Sequence, residues 1–116
     1  IIVNYFTPKE LECQHCGADG IEPEFLDWLN SLRYKFGKPM IITSGYRCKD
    51  HPIEARKSKP GAHESGYAVD VAVSGEDAIK LISLAYGMGC RRIGVDANTF
   101  VHIDIAPDKP SALWTY

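Results

Sequence analysis

Two six-residue runs constrain this chain more than anything else in it: Ala68-Val69-Asp70-Val71-Ala72-Val73 and Phe100-Val101-His102-Ile103-Asp104-Ile105. Both repeat with a period of two, the signature of an extended strand whose faces differ. In the first, Val69, Val71 and Val73 share one face and Asp70 lies on the other. In the second, Val101, Ile103 and Ile105 share one face, with Phe100, His102 and Asp104 opposite. Each strand therefore buries an aliphatic face and presents polar groups on the other. Paired, the two strands bring Asp70 and His102 onto one surface, and His63 is expected to reach in from the loop before the first strand.

Two imidazoles and one carboxylate are three protein ligands. That is the number a catalytic zinc uses while keeping a fourth position open for water. A lone histidine is more often a packed or surface residue, so the argument rests on the whole constellation. If the three converge, the chain is a metal hydrolase.

At 116 residues the chain has room for one small domain, spanning residues 1–116. A net charge of −2 gives no reason to expect nucleic-acid binding. No apolar run has the length of a membrane span. No cationic-then-apolar leader precedes the fold, and a first residue other than Met leaves a removed leader open. No linker, repeat or low-complexity tract interrupts it.

The remaining elements follow from spacing and caps. Thr7-Pro8 suits the start of a helical turn. Ile21, Phe25, Trp28, Leu29, Leu32 and Phe36 recur at helical spacing, which predicts an amphipathic helix over Pro23–Phe36, stopped by Gly37 and Pro39. Met40 to Thr43 reads as a short buried strand, and Ser44 to Ala62 as a long polar loop of the kind that carries function. Ser74 is placed to cap a helix over Gly75 to Tyr86, ended by Gly87 and Gly89. Arg91 to Val95 reads as a strand, with a turn at Asp96 to Asn98 before the second of the two runs returns antiparallel. The order of elements predicts an α+β fold: helices packed on a small, mainly antiparallel sheet.

Several segments together resemble the zinc D-Ala-D-Ala carboxypeptidase and phage endolysin family of peptidoglycan metallopeptidases, whose architecture is shared with the hedgehog signalling domain. They are Ser44-Gly45-Tyr46-Arg47-Cys48, His63-x-x-Gly66-x-Ala68-x-Asp70, Phe100-Val101-His102-Ile103-Asp104 and the Trp114-Thr115-Tyr116 ending. Tyr5 to Leu11 with Cys13-x-x-Cys16-Gly17 is similar to that family's N-terminal segment. The resemblance implies Zn2+ held by His63, Asp70 and His102, and a water activated by the metal. It also implies a carboxylate general base.

Relatives often carry an acid three residues before the last His, where this chain has Thr99. The resemblance to hedgehog-like members instead points to Asp96 as the base, with Asp104 as runner-up or as a residue that orients a ligand. Asp96 also suits a plain turn-capping role beside Asn98. By the same resemblance Arg47 holds a substrate carboxylate or carbonyl through its planar fork, supported by Ser44. The alternative for Arg47 is a surface Arg paired with a nearby acid. Tyr46, Tyr67 and Trp114 are either groove-lining or packing residues. Gly61, where many relatives have Ser, the His51-Pro52 pair and the charged run Glu54 to Lys59 depart from the family pattern near the substrate loop.

The expected function is hydrolysis of peptidoglycan stem peptides or cross-links, by a monomer that acts in the periplasm or cell wall. Such a chain suits a phage lysis enzyme made in the host cytoplasm, or the catalytic part of a larger protein. The alternatives are a metal-stabilised module that binds the wall without turnover, and an amidase or esterase on the same centre. Of four cysteines, Cys13 and Cys16 read as half of a structural zinc site completed by Cys48 or His15, as disulfide partners, or as buried thiols. Cys90 fits a buried thiol best.

Overall fold

The computed structural model describes residues 3–116. A capping box opens α1 (Pro8–Leu11): the Thr7 hydroxyl accepts from the Glu10 N–H, and the Glu10 carboxylate accepts from the Thr7 N–H at 2.7 Å. Helix α2 (Pro23–Phe36) starts at its first-turn proline and stops at Gly37, as its spacing predicts. Helix α4 (Gly75–Gly87) follows Ser74, which makes no side-chain cap.

The strands are β1 (Ile42–Ser44), β2 (Ala68–Val71), β3 (Arg92–Asp96), β4 (Phe100–Asp104) and β5 (Ala112–Thr115). They form one sheet in the order β1-β2-β4-β3-β5. The β1–β2, β2–β4 and β3–β4 pairs are antiparallel, and β5 runs parallel to β3. The fold is thus α+β on a mainly antiparallel sheet.

One face of the sheet is aliphatic. Val69, Val71, Ile93, Val101 and Ile103 form a buried cluster with Phe25, Leu29, Leu32 and Phe36 of α2 and Leu81 and Ala85 of α4. Burying each such side chain contributes roughly 1.5–3 kcal/mol, so this layer is the main stabilising element. Helices α2 and α4 cover that face, which leaves the other face of β2, β4 and β3 to the polar residues.

The structure shifts three expectations. β1 begins at Ile42 rather than Met40, because its register is set by pairing with Val71 and Asp70, while Ile41 points outward and Met40 joins the core. The long loop is broken by a 3-10 turn at Glu54–Arg56 and ends in a one-turn helix α3 (Ala62–Ser65), too short to show periodicity in sequence. β5 is the third: its burial alternates, but the exposed face carries Leu113, so its sequence lacks the apolar–polar alternation that marks a half-buried strand.

Candidate metal centre

The register of β2 with β4 sets Asp70 directly opposite His102. His63 comes from α3, one helical turn ahead of β2, and not from an irregular loop. All three side chains are buried. The His63 Nε2 atom lies 3.2 Å from His102 Nδ1 and 3.3 Å from Asp70 Oδ1, and His102 Nδ1 lies 3.0 Å from Asp70 Oδ1.

The other nitrogen of each ring is held. His63 Nδ1 contacts the Gly45 carbonyl at 2.7 Å, and His102 Nε2 contacts Asp104 Oδ2 at 2.6 Å. A carbonyl and an ionised carboxylate only accept, so both held nitrogens carry the proton. In the neutral rings the two facing nitrogens are therefore bare. Two lone pairs and a carboxylate oxygen then face one another, an arrangement that calls for a cation. Without a cation, burial by itself would raise the Asp70 carboxyl, but the His102 and His63 rings, when they carry a proton on the facing nitrogens, hold it well below the usual carboxylate range. Burial by itself would lower the His102 imidazole, yet Asp104 and Asp70 raise it above its ordinary value.

A four-coordinate zinc with ligands at about 2.0–2.1 Å requires ligand–ligand edges of about 3.3–3.4 Å. The observed edges, 3.0–3.3 Å, fit that tetrahedron to within a few tenths of an ångström.

Around the trio lies an open cleft of about 910 Å3. Arg47 enters it from the segment after β1. Its Nε donates to Ser44 Oγ at 3.1 Å, one terminal nitrogen donates to Asp70 Oδ2 at 3.4 Å, and the other lies 3.5 Å from Glu54 Oε2. Three of its five N–H groups are thereby engaged and two remain. Arg47 and Ser44 both line the cleft beside the trio, as does Trp114.

Other expected residues fall elsewhere. Asp96 ends β3 opposite Phe100, two register pairs from the Gly94–His102 pair. It shares the face of His102 but does not line the cleft, and its carbonyl accepts from the Thr99 N–H in the following turn. Asp104 lies behind the His102 ring, fully buried. It also accepts from Arg92 at 2.8 Å and from the Ala106 N–H. Tyr67 does not reach the cleft: it packs against Phe25 on the core side, and its hydroxyl donates to Glu24. Tyr46 covers Gly20 instead.

Two close approaches shape the site. A Cβ on Gly45 would sit 2.5 Å from the Leu11 carbonyl oxygen, so only glycine lets its own carbonyl reach His63. A Cβ on Gly94 would meet the Trp114 indole at 2.4 Å. The space left by Gly94 lets that indole lie against His102, with ring centroids 5.0 Å apart.

Sequence reasoning missed Glu54, His51, Arg92 and Tyr116. Glu54 is buried in the run that reads as merely charged, with Lys57 at 2.9 Å and the Gly61 N–H on its other oxygen. Burial pushes its carboxyl up, but Lys57, Arg47 and Gly61 outweigh that and lower it. His51 lines the cleft, and burial and the Arg47 charge lower its imidazole. In the sequence this loop is marked only as a whole, by its length and by the departures at His51-Pro52, Glu54 to Lys59 and Gly61, with no role attached to Glu54 or His51.

All four cysteines are free thiols. Cys90 is buried apart from the others, its Sγ contacting the Arg92 and Asp104 carbonyls, as expected of a packed thiol. Cys13, Cys16 and Cys48 converge. Although burial would raise it, backbone N–H groups of Cys48, Cys16 and His15 bring the Cys13 thiol down to about 7.

An α+β sheet that sets two imidazoles and a carboxylate at tetrahedral spacing, with an arginine beside them, is the scaffold of a metal-dependent hydrolase. The Peptidase M15 family matches residues 4–104, and the chain belongs to that family. No curated protein matches the chain. Family membership makes it a zinc metallopeptidase in type, with a peptide as substrate. Among the described residues no helix is long and apolar enough to cross a membrane.

Proposed function

We propose that this chain is a zinc peptidase that hydrolyses stem peptides or cross-links of bacterial peptidoglycan, as a monomer acting in the periplasm or cell wall. His63, Asp70 and His102 are its metal ligands. The observation that carries the reading is the trio of donor atoms 3.0–3.3 Å apart, with both imidazole tautomers fixed from behind.

Zinc bound there supplies a Lewis acid and a water of lowered pKa. The Gly45 carbonyl and Asp104 hold His63 and His102 in the ligating tautomer. Arg47 fixes Asp70 through its second oxygen and keeps two N–H groups for the substrate. Arg47, Lys57, Lys59, Arg92 and Lys109 line the cleft, and Asp70 is the one carboxylate among its lining residues. That balance favours a peptide carrying free carboxylates, as stem peptides do. Ser44 keeps Arg47 in place. Asp96 is the proposed base: although it does not line the cleft itself, it lies on the face of His102, paired with the cleft-lining Phe100, and Asp104 is fully engaged behind His102. It accepts the proton of the attacking water and passes it to the leaving amine.

The test is digestion of purified peptidoglycan by the zinc-loaded protein, followed by mass spectrometry of the released peptides. New amine termini are expected, absent with His102→Ala. Asp96→Asn is expected to keep its zinc and lose roughly 10²-fold or more in rate. Full zinc content with no cleavage of any wall peptide would leave a binding module in place of an enzyme, and full activity in Asp96→Asn would remove Asp96 from the mechanism.

A further inference from the structure

The candidate centre leaves the soft ligands of this chain unused. Cys13, Cys16 and Cys48 offer sulfur atoms that all lie within 4.8 Å of one another. They come from two separate segments. Cys13 and Cys16 follow α1, and Cys48 follows β1 directly after Arg47. Backbone bonds hold the segments in register: the Tyr46 N–H donates to the Leu11 carbonyl at 2.9 Å, and the Cys48 N–H donates to Cys13 Sγ at 3.3 Å. The Gly17 N–H closes a tight turn onto the Cys13 carbonyl at 2.7 Å, with Gly17 at φ +74°.

Three converging thiols are an odd number. A disulfide would join two, at about 2.0 Å, and leave the third beside it unused. A zinc ion with sulfur ligands at about 2.3 Å requires S···S edges of about 3.8 Å, so all three sulfurs reach one ion with movements of an ångström or less. N–H groups directed at a sulfur favour its thiolate, the form that binds metal.

We propose that Cys13, Cys16 and Cys48 form a second metal site, structural in role, which takes zinc through three thiolates. Its fourth position is met by water or by a polar side chain of the adjoining cleft, where His15, Asp50 and Glu64 lie. The ion ties the segment after α1 to the segment Ser44 to Cys48. That second segment carries the Gly45 carbonyl bound to His63 and the Arg47 guanidinium bound to Asp70. Its consequence for catalysis rests on the function proposed above; the binding of metal by the cysteines does not.

The experiment is elemental analysis of the full chain purified under reducing conditions, as wild type, His102→Ala and Cys16→Ser. About two zinc ions per chain are expected in wild type and about one in each variant. Cobalt substitution of the wild type covers the case in which Cys16→Ser fails to fold. Thiolate-to-cobalt charge-transfer absorption is expected, and it should disappear with a thiol-blocking mercurial that also releases about one equivalent of metal. A single zinc lost in His102→Ala, with no thiolate–cobalt band, would overturn the second site. So would a denatured, non-reduced thiol titration showing a disulfide among the three. Zinc retained by His102→Ala but lost by Cys16→Ser supports the cysteine site even if the wild type cleaves nothing, so the two readings fail separately.

Discussion

His63 and His102 present opposite ring nitrogens to the same point, Nε2 from one and Nδ1 from the other, and the choice is made behind each ring. Asp104→Asn removes the charge that fixes the His102 tautomer. Zinc affinity is expected to fall roughly 10–100-fold, read by competition with a chromogenic chelator. Glu54 makes a different prediction, on acid stability. Its carboxyl is lowered in the folded state, so its contribution is fully present above the ordinary value of 4.5. As pH falls through and below that value the unfolded chain takes up the proton first, and stability is lost. Glu54→Gln is expected to cost roughly 1.5–3 kcal/mol at neutral pH and to flatten the unfolding profile on the acid side, measured by urea denaturation from neutral pH downward. Asp70 and His102 were legible in sequence because a period of two fixes faces, and His63 through the family resemblance. Glu54 was not, because a buried charge and an exposed one look alike until the loop around them is closed.

Among the elements, the segment after β1 does the most positioning for its length. Gly45 sits against α1, Arg47 reaches β2, and both touch a member of the trio or its partner. Gly45→Ala forces the Leu11 backbone away and is expected to weaken zinc binding. Gly87→Ala, where nothing lies within 4 Å of the added carbon, is expected to leave it unchanged. Calorimetric zinc titration of the two variants separates the effects. The helix α2 and strand β4 were legible residue for residue or nearly so, since each carries a long or strict alternation. The one-turn helix α3 and the edge strand β5 were not. Four residues do not display a helical period, and a strand bonded along one side with an exposed Leu113 shows no aliphatic face. β5 nonetheless brings Trp114 against His102, so an element without a clear sequence signal shapes the site wall.

For the molecule as a whole, the helices on one sheet face supply the core, and the opposite face gathers His63, Asp70, His102 and their partners. Such a site ties ion binding to folding, because the unfolded chain does not hold the ligands together. Zinc at about 100 times its Kd is expected to add about 2.7 kcal/mol at one site, a rise in Tm on the order of 10 °C that a chelator reverses, read by scanning calorimetry. The sequence by itself determined the α+β class, the two central strands, their pairing surface and the three candidate ligands. The class, the strands and the placing of Asp70 and His102 follow from local periodicity and from which side chains alternation sends to one face; His63 follows from the family resemblance. Only the tertiary structure decided which ring nitrogen each histidine leaves bare, that Asp104 stands behind His102, that Tyr67 belongs to the core, and that three cysteines from two segments meet. Most of those outcomes depend on contacts between residues far apart in the chain, and the His102–Asp104 contact, only two residues apart, depends on side-chain rotamers that periodicity does not set.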